Sequence, residues 1–99
     1  MNEMEQELKP TPRETLLHGL WIDTGSRMEK DSTWQRILWL TGNHLQLLAE
    51  VEDGKLYRDP TDGRLWELVK TRPELPDGGP PILRVMETAR AEEIYGVSL

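Results

Sequence analysis

Asp59, Asp62 and Glu67 crowd into one stretch, "LYRDPTDGRLWEL" (56–68), where acids this close together could serve hydrolysis. Paired carboxylates do such work when one is desolvated enough to stay protonated and the other stays ionised. The same stretch also reads as a hairpin with its own ion pairs. "PTDG" is a four-residue loop in which Pro60 presets the first turn torsion and Gly63 takes the positive φ. That register sets Asp59 opposite Arg64, Arg58 opposite Leu65, Tyr57 opposite Trp66 and Leu56 opposite Glu67. Arg58 and Glu67 are then diagonal neighbours on one face, and every charge at the strand ends has a partner inside the hairpin. Asp62 sits where Asp commonly bonds its own turn, and strict alternation sends Asp59 and Glu67 to opposite faces. Turn chemistry therefore accounts for the acids better than a carboxylate-dependent hydrolase does, and no enzymatic activity is expected.

Other catalytic and metal-binding patterns are weaker still. His18 and His44 do not stand at metal-ligand spacing from another His or Cys, so neither metal nor cofactor is expected. His44, beside Asn43, reads as a turn or strand-end residue. The chain carries no nucleophile elbow or nucleotide fingerprint, and "DGGPP" (77–81) lacks the Lys-Ser/Thr of a phosphate loop. That loop reads either as a rigid surface turn or as a preorganised contact loop, because Pro80 and Pro81 reduce the entropy lost on ordering.

The elements that must position these residues follow from punctuation and periodicity. Residues 1–12 are acidic and hold two prolines, so they form a flexible tail or at most a short frayed helix, leaving 13–99 as one domain. "TLLHGLWID" (15–23) has strand content, with Gly19 as a bulge or a point of close approach. Turn residues in "TGSRMEKD" lead to a helix over 32–41. Asp31 and Ser32 offer caps there, Ser32 and Gln35 stand at capping-box spacing, and Gly42 is placed to stop the helix. Trp34, Ile37 and Leu38 share a helical face. Trp39 lies on a different side, as a core residue or an exposed anchor. "HLQLLAEVE" suits helical spacing at Leu45 and Leu48 but alternates as a strand, which the flanking Gly42-Asn43 and Asp53-Gly54 turns favour. "KLYRD" and "RLWELVKT" read as strands, "PELPDGGPP" as irregular and "ILRVM" as a strand. A final helix is capped by Thr88 and ended by Gly96. The expected class is α+β, with a small, mostly antiparallel sheet packed against one helix of the N-terminal half and a short C-terminal helix.

Composition narrows the partners. Four Trp, two Tyr and no Phe favour partly exposed aromatic packing, and a formal net charge of −6 disfavours nucleic acid and anionic lipid. With no Cys, no export segment and no long apolar run, the expectation is a cytoplasmic protein that does not span a membrane. Glu50, Glu52 and Asp53 concentrate negative charge at a hairpin tip. Glu50 and Glu52 are read there as sharing a solvated strand face opposite Ala49 and Val51. These acids, with Asp77, Gly78, Gly79, Pro80, Pro81 and Trp39, are the candidate contact residues for a protein partner.

Three stretches in order, "ILWLTGNHLQLLAE", "LYRDPTDGRLWEL" and "GGPPIL", resemble the immunity protein 27 family of bacterial polymorphic-toxin systems. The resemblance runs from about Glu14 to Tyr95. Its motif falls on Tyr57, Arg58, Asp59, Pro60, Asp62, Gly63, Arg64, Trp66 and Glu67, read as scaffold rather than interface, and on Gly79, Pro80 and Pro81 of the candidate contact loop. Leu65 stands where an aromatic would be expected beside the Trp, and the acidic N-terminal stretch has no counterpart. The resemblance implies a non-enzymatic antidote, kept in the producing cell's cytoplasm, that binds a cognate toxin and occludes it. The acidic balance suits a basic target such as a nuclease. A small cytoplasmic interaction module unrelated to toxins fits the composition equally well; only the resemblance separates the two.

Overall fold

The computed structural model describes residues 3–99, so the first two residues of the expected acidic tail lie outside the described residues. A short helix α1 (Glu3–Leu8) precedes β1 (Leu16–His18), β2 (Trp21–Asp23) and β3 (Met28–Lys30). Helix α2 (Ser32–Trp39) runs into a π-helical turn, Leu40–His44. Strands β4 (Gln46–Val51), β5 (Gly54–Arg58), β6 (Leu65–Lys70) and β7 (Pro81–Met86) follow, and α3 (Thr88–Tyr95) closes the chain. The main sheet has the order β1-β7-β6-β5-β4 with every pair antiparallel, and β2 and β3 form a separate ribbon. This is the expected α+β class.

Alternation along the strands builds two cores, one on each face of the sheet. Tyr57, Trp66, Leu83 and Leu17 point to one face, where Ile37 of α2 and Leu40 and Leu45 around the π turn cover them. Leu56 and Leu65 point to the other face and pack against Ala91 and Tyr95 of α3. Sequence periodicity alone carried no sign that the hairpin strands would be covered on both sides.

The expected strand over 15–23 is broken at Gly19 and Leu20. A Cβ on Gly19 would lie 2.9 Å from Pro81 Cδ and 3.0 Å from Trp34 Cβ, so the residue marks a close approach of the sheet edge to α2. Beyond it the chain leaves the sheet to pair with β3, a strand hidden within what reads as turn sequence. The turn itself is as expected: Gly25 has φ 90° and its N–H donates to Asp23 Oδ1 at 2.8 Å.

Helix ends also differ from the sequence reading. Asp31, not Ser32, caps α2, accepting from the Trp34 N–H at 2.8 Å, while Gln35 Nε2 turns instead to the Lys30 carbonyl at 3.2 Å. Gly42 does not stop the helix. The chain winds on as a π turn, with Leu45 N–H donating to Leu40 C=O at 2.8 Å, because Leu40 and Leu45 are both drawn into the core. Thr41 Oγ1 and Asn43 Nδ2 support the turn by donating to the Ile37 and Trp39 carbonyls. At the C-terminal helix the N-cap position is Glu87, with no side-chain cap bond, and Thr88 is the first helical residue. Gly96 ends that helix at φ 66°, as its position suggested.

Two arginines hold residues 8–14 against this framework. Arg36 donates to the Leu8 and Lys9 carbonyls at 2.7 and 3.0 Å and forks onto both Glu14 carboxylate oxygens at 2.7 Å. Arg64 reaches the Glu14 and Thr11 carbonyls at 2.7 and 2.9 Å. The Arg36 hydrogen bond pulls the Glu14 carboxyl down from 4.5 to about 2 against the opposing effect of burial. A carboxyl depressed in the folded state adds stability above its unfolded value, and that stability is lost as pH falls through the folded one. Glu14→Gln should therefore flatten the stability profile between pH 4.5 and about 2, read by urea unfolding at stepped pH. A variant profile parallel to wild type through that window would rule out the Arg36 fork as a source of acid sensitivity.

Candidate functional site

The hairpin forms in the expected register, with Tyr57 paired to Trp66, Arg58 to Leu65 and Leu56 to Glu67, and Gly63 at φ 79°. Its acids scatter to three different partners. Asp62 accepts from the Arg64 N–H at 3.0 Å, the turn bond read from the sequence, and also from Arg64 Nε at 2.7 Å, the arginine that the register set opposite Asp59. Asp59 is 1% exposed; its Oδ1 meets His44 Nε2 at 2.9 Å and accepts from the Thr61 N–H at 2.8 Å. Glu67 is buried on the opposite face, where Oε1 accepts from Arg84 at 2.9 Å and Oε2 from the Tyr95 hydroxyl at 2.7 Å.

Two of these partnerships correct the expectation that the hairpin satisfies its own charges. Arg58 shares a face with Glu67, but Arg84 of β7 stands directly opposite Glu67 in the sheet and takes the ion pair. Asp59 turns to His44 at the end of the π turn, whose ring stacks on Trp39 with centroids 6.2 Å apart. Neither His44, Arg84 nor Tyr95 could have been assigned from local sequence, because each comes from another element. Gly54 belongs to the same network, since a Cβ there would lie 2.6 Å from the Tyr95 hydroxyl. Burial, reinforced by the Glu67 carboxylate, pushes the Tyr95 phenol well above its usual value.

The two motif aromatics are core residues. Trp66 is fully buried with Arg64 stacked 5.1 Å from its ring centroid, and Tyr57 is buried beside it in the core on the α2 face. His18 contacts the neighbouring Gly19 carbonyl through Nδ1 at 2.7 Å. Among the described residues no three His, Asp or Glu side chains gather as a metal site.

A cleft of about 200 Å³ lies open between α2 and the far end of the sheet. Trp34, Ile37 and Leu38 line it from the helix, and Val51, Leu68 and Pro81 from the strands. Glu50, Glu52, Asp53 and Asp77 border it together with Lys55 and Lys70. The structure thus brings the acidic hairpin tip and part of the "DGGPP" loop to one place, although twenty-odd residues separate them in sequence. Glu52 is not a strand residue. It lies with Asp53 in the turn between Val51 and Gly54, which pair across the ends of β4 and β5. Glu50 stays on the cleft face opposite Lys55, and its charge adds to burial in raising the Tyr57 phenol.

Gly79 and Pro81 also line the cleft, whereas Gly78, Pro80 and Trp39 do not. Gly78 and Gly79 are buried at φ 80° and 73°, packed against the Lys70 and Arg72 side chains, with Gly79 N–H donating to Asp77 Oδ1 at 3.0 Å. A side chain at either position would clash, with Cβ contacts of 2.7 and 2.6 Å, so these glycines shape the loop and Asp77 is what it exposes. Pro80 is half-buried and gives its carbonyl to Thr71 Oγ1 at 2.6 Å. Trp39 is half-buried against the core and His44, outside the cleft. Leu38 and Val51, read from sequence only as members of a helix face and a strand face, are exposed and meet at the cleft with Lys70; only that meeting marks the three as candidate contacts.

These features describe a small α+β protein whose buried charges are tied into the scaffold and whose open, sparsely paired charges ring one cleft. The family model of immunity protein 27 matches residues 23–87, from the end of β2 to the residue before α3. The chain belongs to that family. No curated protein and no solved structure matches it. No helix among the described residues is long and apolar enough to cross a membrane.

Proposed function

We propose that this immunity protein binds a cognate secreted toxin of a polymorphic-toxin system and occludes it, protecting the cytoplasm of the producing cell without catalysis. The observation that carries this reading, beyond the family, is the open cleft whose bordering acids Glu50, Glu52 and Asp53 form no salt bridge among the described residues. Uncommitted carboxylates on a net-acidic protein attract a basic partner, and a nuclease has that character. Their influence extends about 8 Å at physiological salt, so they steer the partner only near this edge.

Glu50→Lys with Glu52→Lys should slow association with the toxin roughly tenfold at low ionic strength and weaken its salt dependence. Both residues are exposed, so thermal unfolding should stay near wild type. Stopped-flow mixing with the purified cognate toxin domain, at two salt concentrations, measures this. Unaltered association rates in the double variant would put the contact surface elsewhere, with the helix side bearing Trp39 as the next surface to alter. A toxin that the wild-type protein neither binds nor inhibits would defeat the reading itself.

A further inference from the structure

We propose that the cleft between α2 and the β4–β5 turn receives one long basic side chain, an arginine or lysine, projecting from the toxin. This deepens the function proposed above and rests on it. The size of the cleft sets the first limit. A cavity of roughly 150 Å³ accommodates benzene, so about 200 Å³ suits one side chain rather than a strand or a nucleotide.

The lining chooses among side chains. Trp34 and Ile37 are buried at its inner wall, with Leu38, Val51 and Leu68 completing an apolar channel. The mouth carries four carboxylates, Glu50, Glu52, Asp53 and Asp77, against the ammonium groups of Lys55 and Lys70. Lys55 stands opposite Glu50 in the strand register yet makes no salt bridge with it. A wholly apolar occupant would desolvate those carboxylates without replacing their water hydrogen bonds. An acidic occupant would meet a rim of its own sign. A basic side chain satisfies both parts, laying its methylene stem along the apolar wall and keeping its head among the rim acids.

The test has two arms. In the first, the isotope-labelled full chain is titrated with n-butylguanidinium, neutral n-butylurea and pentanoate, three probes of similar length. The expected result is saturable NMR shifts at the Trp34 indole and the Gly54 and Gly79 amides for the cation. The other two probes should bind at least about tenfold more weakly, in keeping with a charged head at a complementary rim. Leu38→Trp, at an exposed helix position, should fill the mouth and remove the response while unfolding at the wild-type temperature. Equal binding of all three probes, or shifts confined to other residues, would overturn the proposal.

The second arm uses the purified cognate toxin domain. Leu38→Trp should weaken its binding by about 30-fold or more, as loss of a central anchor does. One Arg→Ala or Lys→Ala change in the toxin should reproduce that loss. A toxin held equally by wild type and Leu38→Trp defeats the cleft proposal and leaves the proposed function standing. A toxin not held by wild type at all defeats the function, and selectivity of the cleft for the cation is then decided by the probes alone.

Discussion

Trp66→Ala should destabilise the protein by about 3–5 kcal/mol, the largest loss expected from a single substitution here. The indole is fully buried at the centre of the core on the α2 face, between Tyr57 on one strand and Val85 on the other. Truncation forfeits its transfer energy and leaves a cavity that a sheet braced on both faces can close only in part. The guanidinium of Arg64, 5.1 Å from the ring, loses its platform as well. Trp66→Phe should cost much less, roughly 1–2 kcal/mol, for a specific reason. Trp66 Nε1 is a buried donor that no protein atom accepts from, and Phe removes that donor while keeping an aromatic ring. Urea unfolding of the two variants measures both costs, with the midpoint shifting and the slope unchanged. If Phe proved as harmful as Ala, the indole N–H would have to be contributing a bond rather than a penalty.

Glu67→Ala should cost roughly 3 kcal/mol, the second largest loss, because one buried carboxylate accepts from two elements. Arg84 is 51% exposed at its side chain and can turn to water when its acceptor is gone. The Tyr95 hydroxyl is buried and cannot, so most of the cost should arise there. Adding Tyr95→Phe to Glu67→Ala should then recover part of the loss, since removing both partners leaves no orphaned donor. Amide exchange over α3 should accelerate in Glu67→Ala, because Tyr95 and Ala91 are its buried contacts with the sheet. A double variant as unstable as the sum of its parts would show that the hydroxyl and carboxylate act independently.

Much of the architecture was legible because it is local. The β5–β6 register followed from the loop length and from Pro60 and Gly63. The class followed from strands separated by turn dipeptides, and the end of α3 followed from Gly96. Each depends on torsions or spacings that a few neighbouring residues dictate. Where two local signals competed, sequence could not choose. Asp31 and Ser32 both suit an N-cap, and the position of the chain in space gave the cap to Asp31. Gly42 suits a helix end, but burying Leu40 and Leu45 together outweighed it and extended the turn.

Tertiary structure alone decided who meets whom. Composition placed acids at the hairpin tip and in the "DGGPP" loop, yet only the sheet order brings both to the same cleft beneath α2. It likewise gave Asp59 to His44 and Glu67 to Arg84 and Tyr95, bonds spanning 15 to 28 residues of chain. The physical reason is that a buried charge must find a partner wherever the core closes around it, and sequence spacing does not carry that distance. The residue types that need partners can be read along the chain; the partners are chosen when the two faces of the sheet are covered.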